Sequence, residues 1–262
     1  MSSESEMMTF GGHLEVLRRM LFRILIAISI FAVIIFCFKE TTFGILLAPS
    51  KSDFYLYHWI ELFFAWVGYD FHFAPFEVNL ITTDLSSQFM THISTSLYLG
   101  FLCASPYILF ELFRFISPAL YDNERKYSIH ILFVIYTLFI VGVLMSYFIL
   151  FPISFRFLGT YSVAEEVHNT ITLDSYISTF ITLTLIMGLV FQLPVIAYFL
   201  AKIGIIQSEM LAKYRQYAFL IIMVVAAIIT PPDLMTLILV TIPLYLLYEV
   251  SIIVTRRVGN KD

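Results

Sequence analysis

The sequence predicts an all-α membrane protein with six transmembrane helices, and its composition is the first observation behind this prediction. Of the 262 residues, 60% are hydrophobic and 13% are charged. A soluble domain has roughly 45–50% apolar residues and about 25% charged ones. The polar surface of this chain is therefore too small to cover a water-exposed globule, and we expect lipid to be part of its solvent.

A series of six apolar segments is the second observation. A bilayer core about 30 Å thick requires about 20 apolar residues in a helix, and lipid leaves the backbone no other hydrogen-bond partner. The first segment lacks a small-residue cleavage site, so we expect a retained anchor rather than a removable signal peptide. The predicted spans are residues 21–38, 90–113, 127–151, 176–201, 216–230 and 234–254.

The third observation is the placement of the basic residues. Of the fifteen Lys and Arg residues, only Lys39, Lys51 and Arg156 lie in the first, third and fifth gaps between segments. The others lie at the amino-terminal edge, in the second and fourth gaps, or in the tail. The positive-inside rule therefore places both termini and the even gaps in the cytoplasm. We expect residues 1–262 to form a single domain, with an outer loop at 41–89 and a cytoplasmic loop at 114–126.

The outer loop, residues 41–89, is predicted to carry a short helix along the outer membrane interface. It is rich in aromatic residues, including Trp59 and Trp66, but Glu61 and other ionisable residues make it too polar to span. Tryptophan and tyrosine favour the headgroup level. A nucleic-acid surface is a poor alternative, because aromatic stacking needs a basic groove and this loop has only Lys51.

The fifth and sixth helices are predicted to be short. Residues 216–230 fill the interval between Arg215 and Pro231, and as a helix they span roughly 22 Å. The sixth segment has a similar uninterrupted apolar run, residues 234–248, before Glu249. Short helices should thin or distort the surrounding bilayer at a modest cost. Tilting or kinking against neighbouring helices, with no functional role, is an equally open interpretation.

No enzymatic constellation occurs in the sequence. It lacks G-x-S-x-G, H-E-x-x-H and a Gly-rich phosphate loop that ends in Gly-Lys-Ser/Thr. Cys37 and Cys103 lie in apolar stretches without C-x-x-C spacing, so we predict that both are buried and bind no metal. We therefore expect a protein that is not an enzyme, with no catalytic residues, no cofactor and no metal site.

One polar residue, Gln192, lies near the middle of the predicted fourth span. It is about ten residues, or roughly 15 Å, from the cytoplasmic edge at Lys202. A polar side chain at that depth indicates a function by default. Alternatively, Gln192 satisfies a carbonyl group that a kink at Pro194 exposes.

The second gap carries the most specific motif of the chain, FISPALYDNER over residues 115–125. It closely resembles the first cytoplasmic loop of the TatC family, the multispanning subunits of twin-arginine protein translocases. Further matches follow the family's order along most of the chain. They are HLE at 13–15 with LRR at 17–19, AP at 48–49, FQLPV at 191–195 and TPPD at 230–233.

The resemblance implies a receptor for signal peptides with consecutive arginines, which bring folded proteins to the membrane. It assigns Glu124 to the peptide site, where a guanidinium pair would bind a carboxylate in bidentate geometry. The residues alone leave an exposed salt bridge with Arg125 or Lys126 as the alternative. The other residues assigned to the peptide site are Glu15, Arg18, Phe115 and Tyr121, with the two aromatic rings as apolar walls. The prolines expected to fix turns or kinks are Pro49, Pro118, Pro194 and Pro231.

Two positions depart from the family pattern. The amino-terminal pattern of the family is usually His-Leu-x-Glu-Leu-Arg, and Val16 occupies the place of its carboxylate here. Either Glu15 substitutes from about 100° around the helix, or the site relies on Glu124 alone. The family also commonly has a glutamate in the fourth helix, where this chain has Gln192. A glutamine can hydrogen-bond but cannot ionise.

The resemblance also implies partners and a location. Single-span proteins of the TatA and TatB type would pack on the later helices in an oligomeric complex, with a polar contact at Gln192, Thr236 and Asp233. The implied location is the bacterial cytoplasmic membrane, and the implied energy source is the proton gradient. Two alternatives remain. A small-solute secondary transporter should show paired broken helices and an inverted repeat, whereas the inner-loop carboxylates of a structural scaffold should be replaceable without effect.

Overall fold

The computed structural model describes residues 10–70, 72–73, 76, 78–116, 125–162, 164, 169–230 and 233–259. These residues are helical apart from loops and one short parallel pairing of β1, Leu80–Ile81, with β2, Ile171–Thr172. The predicted all-α class is therefore confirmed. The helices are α1 Phe10–Cys37, α2 Lys39–Leu47, α3 Tyr55–Val67, α4 Ser87–Ile116, α5 Arg125–Met145, α6 Phe151–Thr160, α7 Leu173–Val190, α8 Leu193–Lys202, α9 Ser208–Lys213, α10 Arg215–Ile229 and α11 Leu234–Gly259.

Within the described part of the chain, five stretches are long and apolar enough to cross a bilayer. They are Leu14–Cys37, Ser87–Phe115, Ile131–Thr160, Leu173–Lys202 and Leu234–Val258. The shorter apolar helix α10 has 15 residues, as the sequence predicts for the fifth segment. Each predicted span thus coincides with an apolar helix, and the chain is a multi-pass membrane protein.

The sixth helix is longer than predicted. α11 has 26 residues and continues through Glu249 to Gly259, so the prediction of a short sixth helix is wrong. The prediction ended the apolar run at a charged residue. That charge is paired, however, because Arg215 Nη2 donates a hydrogen bond to Glu249 Oε2 at 2.9 Å. The paired carboxylate lets the apolar helix continue, and the argument for a thinned bilayer now applies to α10 alone.

Two other predicted spans differ in detail. The third continues past its predicted end at 151, because a π-helical turn, Ser146–Leu150, joins α5 to α6. In that turn the Phe151 N–H donates to Ser146 O, five residues earlier. The wider turn accommodates a proline in the first turn of α6. The fourth span is interrupted at Phe191 and Gln192, between α7 and α8.

The structure forms two compact units, one from Met1–Lys39 and Ile93–Tyr136 and the other from Glu40–His92 and Thr137–Asp262. We call them unit 1 and unit 2. In unit 1, α1 packs against α4 through a core of Met20, Ile24, Ala104 and Ile108. A Cβ atom on Gly100 would lie 2.8 Å from the Ala32 backbone nitrogen, so this crossing requires glycine.

Both cysteines of unit 1 are exposed and unpaired with each other, which corrects the prediction that they are buried. The prediction inferred burial from apolar neighbours in the sequence. In a membrane protein the outer surface of a helix is apolar as well, so apolar surroundings do not distinguish the inside from the outside.

In unit 2, α5 with its π-helical turn packs closely on α7. A Cβ atom on Gly142 would lie 2.6 Å from the Met187 carbonyl oxygen, so the helix backbones nearly touch there. One turn further along, the hydroxyl groups of Ser146 and Thr184 lie 3.2 Å apart in the buried interface. α8 and α10 both pack against α11 and complete this helical layer.

Helix α3 confirms that the segment 41–89 contains a helix. Its buried Tyr57 packs with Phe73 and Phe76, and all three rings lie within 4.9 Å of the Arg156 guanidinium carbon. Tyr57 also donates a hydrogen bond to Pro152 O at 3.0 Å. Burial raises the pKa of Tyr57 to about 12, so the phenol remains a donor at neutral pH.

Candidate functional site

The predicted site residues Glu15, Arg18 and Phe115 lie at one end of the α1 and α4 pair in unit 1. Leu17 of α1 and Phe115 of α4 pack against the same apolar core. Ala32 lies beside Gly100 whereas Arg23 contacts Glu111, so the two helices run antiparallel. The start of α1, with the exposed Glu15 and Arg18, therefore lies at the same end as Phe115.

The carboxylate of Glu15 is solvent-accessible but already paired. It forms an ion pair with Arg19 one turn later, and both side chains are more than half exposed. Such a pair stabilises a helix by only about 0.3–0.5 kcal/mol, so another guanidinium group could exchange with Arg19. Val16, which replaces the family's carboxylate, is 40% exposed on the same turn.

Several sequence-predicted residues lie outside the described part of the chain. Glu124, Tyr121 and Pro118 belong to 117–124, between α4 and α5, and Pro231 lies just before α11. The remaining two predicted prolines are buried. Pro49 lies in a 3-10 turn, Ala48–Ser50, and Pro194 lies in the first turn of α8.

A buried ionic cluster in unit 1 was missed by sequence reasoning. Arg23 Nη2 of α1 donates to Glu111 Oε2 of α4 at 2.7 Å. Tyr107, one turn before Glu111, donates its hydroxyl to Glu111 Oε1 at 3.0 Å. Glu111 is only 4% exposed, whereas the Arg23 side chain is 45% exposed. The available signal was an acidic residue two positions before the end of the predicted span 90–113.

A related cluster in unit 2 joins α10 to α11. Arg215 Nε lies 2.9 Å from Glu249 Oε1, and Arg215 Nη2 lies 2.9 Å from Glu249 Oε2. Tyr245, one turn before Glu249, donates to Oε1 at 3.1 Å. The ring of Tyr245 also packs edge-on against Phe219 of α10, with centroids 5.6 Å apart.

The residues predicted to contact partner helices all lie in unit 2. Gln192 is partly buried at the interruption between α7 and α8, and its backbone carbonyl oxygen accepts from the backbone N–H groups of Val195 and Ile196, both at 3.0 Å. Asp233 accepts a hydrogen bond from the Thr236 N–H at 2.6 Å and so caps the start of α11. Thr236 is 1% exposed, so its hydroxyl group is inside this chain.

The fold defines a multispanning helical membrane protein. In the part of the chain that the structure describes, one ion pair joins α1 to α4 and another joins α10 to α11. The chain matches the family described as "Sec-independent protein translocase protein (TatC)" over residues 12–243. It belongs to this TatC family, a family of transport proteins that are components of the twin-arginine translocase.

Individual relatives resemble the chain along its whole length. The TatC protein of Blattabacterium sp. subsp. Periplaneta americana is 37% identical, with 100% of both chains covered. The TatC protein of Aquifex aeolicus is 35% identical, with 94% of this chain and 95% of the relative covered. A crystal structure of the twin-arginine translocase receptor TatC in DDM superposes with a TM-score of 0.75 at 35% identity, covering 93% and 99% of the two chains.

Proposed function

We propose that this chain is the receptor subunit that binds twin-arginine signal peptides at the cytoplasmic ends of α1 and α4. The observation that supports it most is the exposed Glu15 carboxylate at the end of the α1 and α4 pair that also carries Phe115. A solved relative with 35% identity is described as a twin-arginine translocase receptor. The peptide would reach this end from the cytosol, where its cargo is already folded.

The proposed site combines charge recognition with apolar contact. Glu124 would bind one guanidinium group in bidentate geometry, and Glu15 would bind the other by exchange with Arg19. Phe115 and Tyr121 would pack against the apolar part of the peptide, while Arg18 would donate hydrogen bonds to peptide carbonyl groups. Arginine suits this recognition better than lysine, because its planar fork matches both carboxylate oxygens.

A binding experiment tests this proposal directly. Peptides with Arg-Arg and with Lys-Lys are titrated against wild type, Glu124→Ala and Glu15→Ala in detergent. Glu209→Ala, which removes an exposed carboxylate of α9, serves as the matched control. We expect wild type and the control to prefer Arg-Arg, and Glu124→Ala to lose that preference. Equal binding of both peptides by wild type and Glu124→Ala would exclude the receptor assignment.

The proposed topology has six spans with both termini in the cytoplasm of a bacterial inner membrane. Its support is the asymmetry of the basic residues. Single cysteines at Ser208, between α8 and α10, and at Ser162, after α6, should label from opposite sides in a variant with Cys37 and Cys103 replaced by serine. Labelling of the 114–126 loop from the outer side would overturn the proposal.

We also propose that α3 lies along the outer membrane interface. Both tryptophans of the chain belong to α3, and they are 70% and 82% exposed at Trp59 and Trp66. Exposed tryptophan favours the headgroup level. Brominated lipids should therefore quench the fluorescence of the wild type, with stronger quenching by bromine near the headgroup than deep in the chains. Ready quenching by aqueous acrylamide without lipid quenching would contradict this placement.

Partner assembly is proposed for the short helix α10. Its apolar face is exposed, including Leu220, Val224 and Ile228, and its 15 residues span about 22 Å. Lipid thinned around it would favour single-span TatA-type and TatB-type subunits with short helices. The polar contact would involve Gln192 and Asp233, and Thr236 would take part only if α11 moved. Photo-crosslinkers at Gln192 and Asp233 that yield no adducts with these subunits would count against the contact. Transport would use the proton gradient, so an uncoupler should stop export.

The alternative of a small-solute transporter fits less well. Such transporters have paired broken helices near the midplane. Here the fourth span is interrupted at Gln192, but α11 continues through Pro243 without interruption. The interruption of the fourth span thus has no counterpart in the sixth.

A further inference from the structure

We infer that Arg23, Tyr107 and Glu111 are positioning residues that fix the register of α1 on α4 and so hold the peptide-binding residues at one level. This inference rests on the proposed function. It concerns residues that the sequence motifs do not include. The cluster does not belong to the proposed peptide contact itself, because both Glu111 oxygens are already bound within the chain.

The apolar contact between α1 and α4 specifies the pairing only loosely. Its core of Met20, Ile24, Ala104 and Ile108 consists of aliphatic side chains, which can repack after a shift of one helical turn. Apolar packing in lipid also lacks a strong hydrophobic driving force between helices. A directional contact therefore adds to the close crossing at Gly100 and Ala32 in selecting one register.

The ionic cluster supplies that directional contact. Glu111 is 4% exposed inside the unit, and a carboxylate in a membrane segment is costly unless it is paired. Arg23 of α1 donates to its Oε2 atom at 2.7 Å, and Tyr107 completes the set by donating to Oε1.

A slip of one turn that brings Ala27 to the level of Glu111 leaves the buried carboxylate without its charged partner. A slip in the other direction brings Arg19 there and breaks the ion pair between Arg19 and Glu15. Buried polar contacts are known to set register in this way in coiled coils.

The register controls the site because the same helices carry its residues. Glu15 and Arg18 lie two turns and one turn before Arg23 on α1, and Phe115 lies one turn after Glu111 on α4. A slip of one turn moves one helix by about 5.4 Å along the other. That displacement exceeds the length of a hydrogen bond, so a peptide bound to Phe115 could no longer reach Glu15.

A distance measurement tests the positioning role without any peptide. Spin labels are placed at Leu14→Cys and Leu112→Cys, both exposed positions, in a background with Cys37→Ser and Cys103→Ser. We expect a narrow distance distribution for the parent and a broad or shifted one for Glu111→Gln. The charge-reversed pair, Arg23→Glu with Glu111→Arg, should narrow it again. Glu249→Gln, which alters the similar cluster of unit 2, is the matched control and should leave it unchanged.

Peptide affinity tests the functional consequence in the same variants without the spin labels. Glu111→Gln should weaken binding of the Arg-Arg peptide about tenfold, which corresponds to about 1.4 kcal/mol. The charge-reversed pair should recover to within about threefold of wild type, a difference below about 0.7 kcal/mol. Recovery with the pair reversed would distinguish positioning from direct contact, because a reversed charge at 111 could not bind a guanidinium.

Each other result decides against the inference. An unchanged distance distribution with weakened binding would mean that Glu111 contacts the peptide itself. A changed distribution with unchanged affinity would mean that the register does not matter for binding. If wild type binds Arg-Arg and Lys-Lys peptides equally, the proposed function fails and this inference fails with it. If only the Glu111 and Arg23 variants lose affinity, the proposed function remains intact.

Discussion

Two helix pairs of this molecule are joined by the same three side chains in different surroundings. In unit 1, Arg23 of α1 binds Glu111 of α4, and Tyr107 lies one turn before that glutamate. In unit 2, Arg215 of α10 binds Glu249 of α11, and Tyr245 lies one turn before it. The spacing Tyr-x-x-x-Glu is thus used twice, each time with an arginine from another helix.

The two clusters have similar distances but differ in burial, and the arginine contact is bidentate at Glu249 and single at Glu111. The arginine-to-carboxylate distances are 2.7 Å and 2.9 Å, and the phenol-to-carboxylate distances are 3.0 Å and 3.1 Å. The exposed fraction of the carboxylate, in contrast, is 4% for Glu111 and 28% for Glu249. Groups outside the chain can therefore replace a lost partner more readily at Glu249 than at Glu111. The ion pair should therefore fix a register in unit 1, and its removal should cost less in unit 2 despite the bidentate geometry there.

Removal of each carboxylate should give the largest difference between the clusters. Glu111→Ala should lower the free energy of unfolding by about 2 kcal/mol, less than for a fully buried pair because Arg23 is half-exposed and can turn to water. Glu249→Ala should cost less than about 1 kcal/mol. Unfolding in mixed detergent is followed by circular dichroism, since both tryptophans lie in α3 and would not report on unit 1. Equal losses would show that burial does not separate the clusters.

A second comparison concerns two glycines, one at the close contact of α1 with α4 and the other in open space on α2. Gly100→Ala would place a Cβ atom 2.9 Å from Ala32 Cα, so α1 and α4 would have to separate. We expect a loss of about 1–2 kcal/mol in the free energy of unfolding and weaker binding of an Arg-Arg peptide.

The matched control for this change is Gly44→Ala in α2, where nothing lies within 4 Å of the added Cβ atom. Alanine should be neutral or stabilising there by up to about 1 kcal/mol, because it favours the helix over glycine. If Gly100→Ala behaves like Gly44→Ala, the close approach of α1 and α4 does not matter for stability.

These comparisons also show what the sequence could predict. Apolar length locates the helical segments, because lipid imposes this constraint directly on the chain. Charges inside a helix are harder to interpret from sequence. Glu249 was taken as the end of the uninterrupted apolar run of the sixth segment and Glu111 was overlooked, although each is accommodated by an arginine from another helix. Such pairing depends on tertiary contacts that no local pattern contains.

The candidate site was predictable only where a motif marked it. Glu15, Arg18 and Phe115 come from separate motifs, and the structure brings the ends of α1 and α4 that carry them to one end of unit 1. The burial of Thr236 and the exposure of Cys37 and Cys103 could not be predicted. Residues on the inside and on the lipid-facing outside of a membrane helix are both apolar, so composition cannot tell one face from the other.

Salt concentration should change the coupling energies of the two ion pairs by different amounts, and this effect should be smaller than that of removing a carboxylate. Between about 0.1 M and about 1 M salt the Debye length falls from about 10 Å to about 3 Å. Alanine double-mutant cycles measure the coupling of Arg23 with Glu111 and of Arg215 with Glu249 at both concentrations. The coupling in unit 2 should fall by about half or more, and that in unit 1 should be mostly retained because Glu111 is screened less. A steeper loss in unit 1 would contradict the burial argument.

The tyrosines should give the smallest effects, because each supplies one neutral donor to an already paired carboxylate. Tyr107→Phe leaves Glu111 Oε1 without its phenol in a position where water has little access, so the unfolding midpoint should fall measurably. Tyr245→Phe removes the same bond at 3.1 Å, but water can reach Glu249 and the ring still packs against Phe219. Its midpoint should match that of Tyr217→Phe, a control at an exposed position of α10. If Tyr245→Phe destabilises the chain as much as Tyr107→Phe, access of water to the carboxylate is not what distinguishes the two clusters.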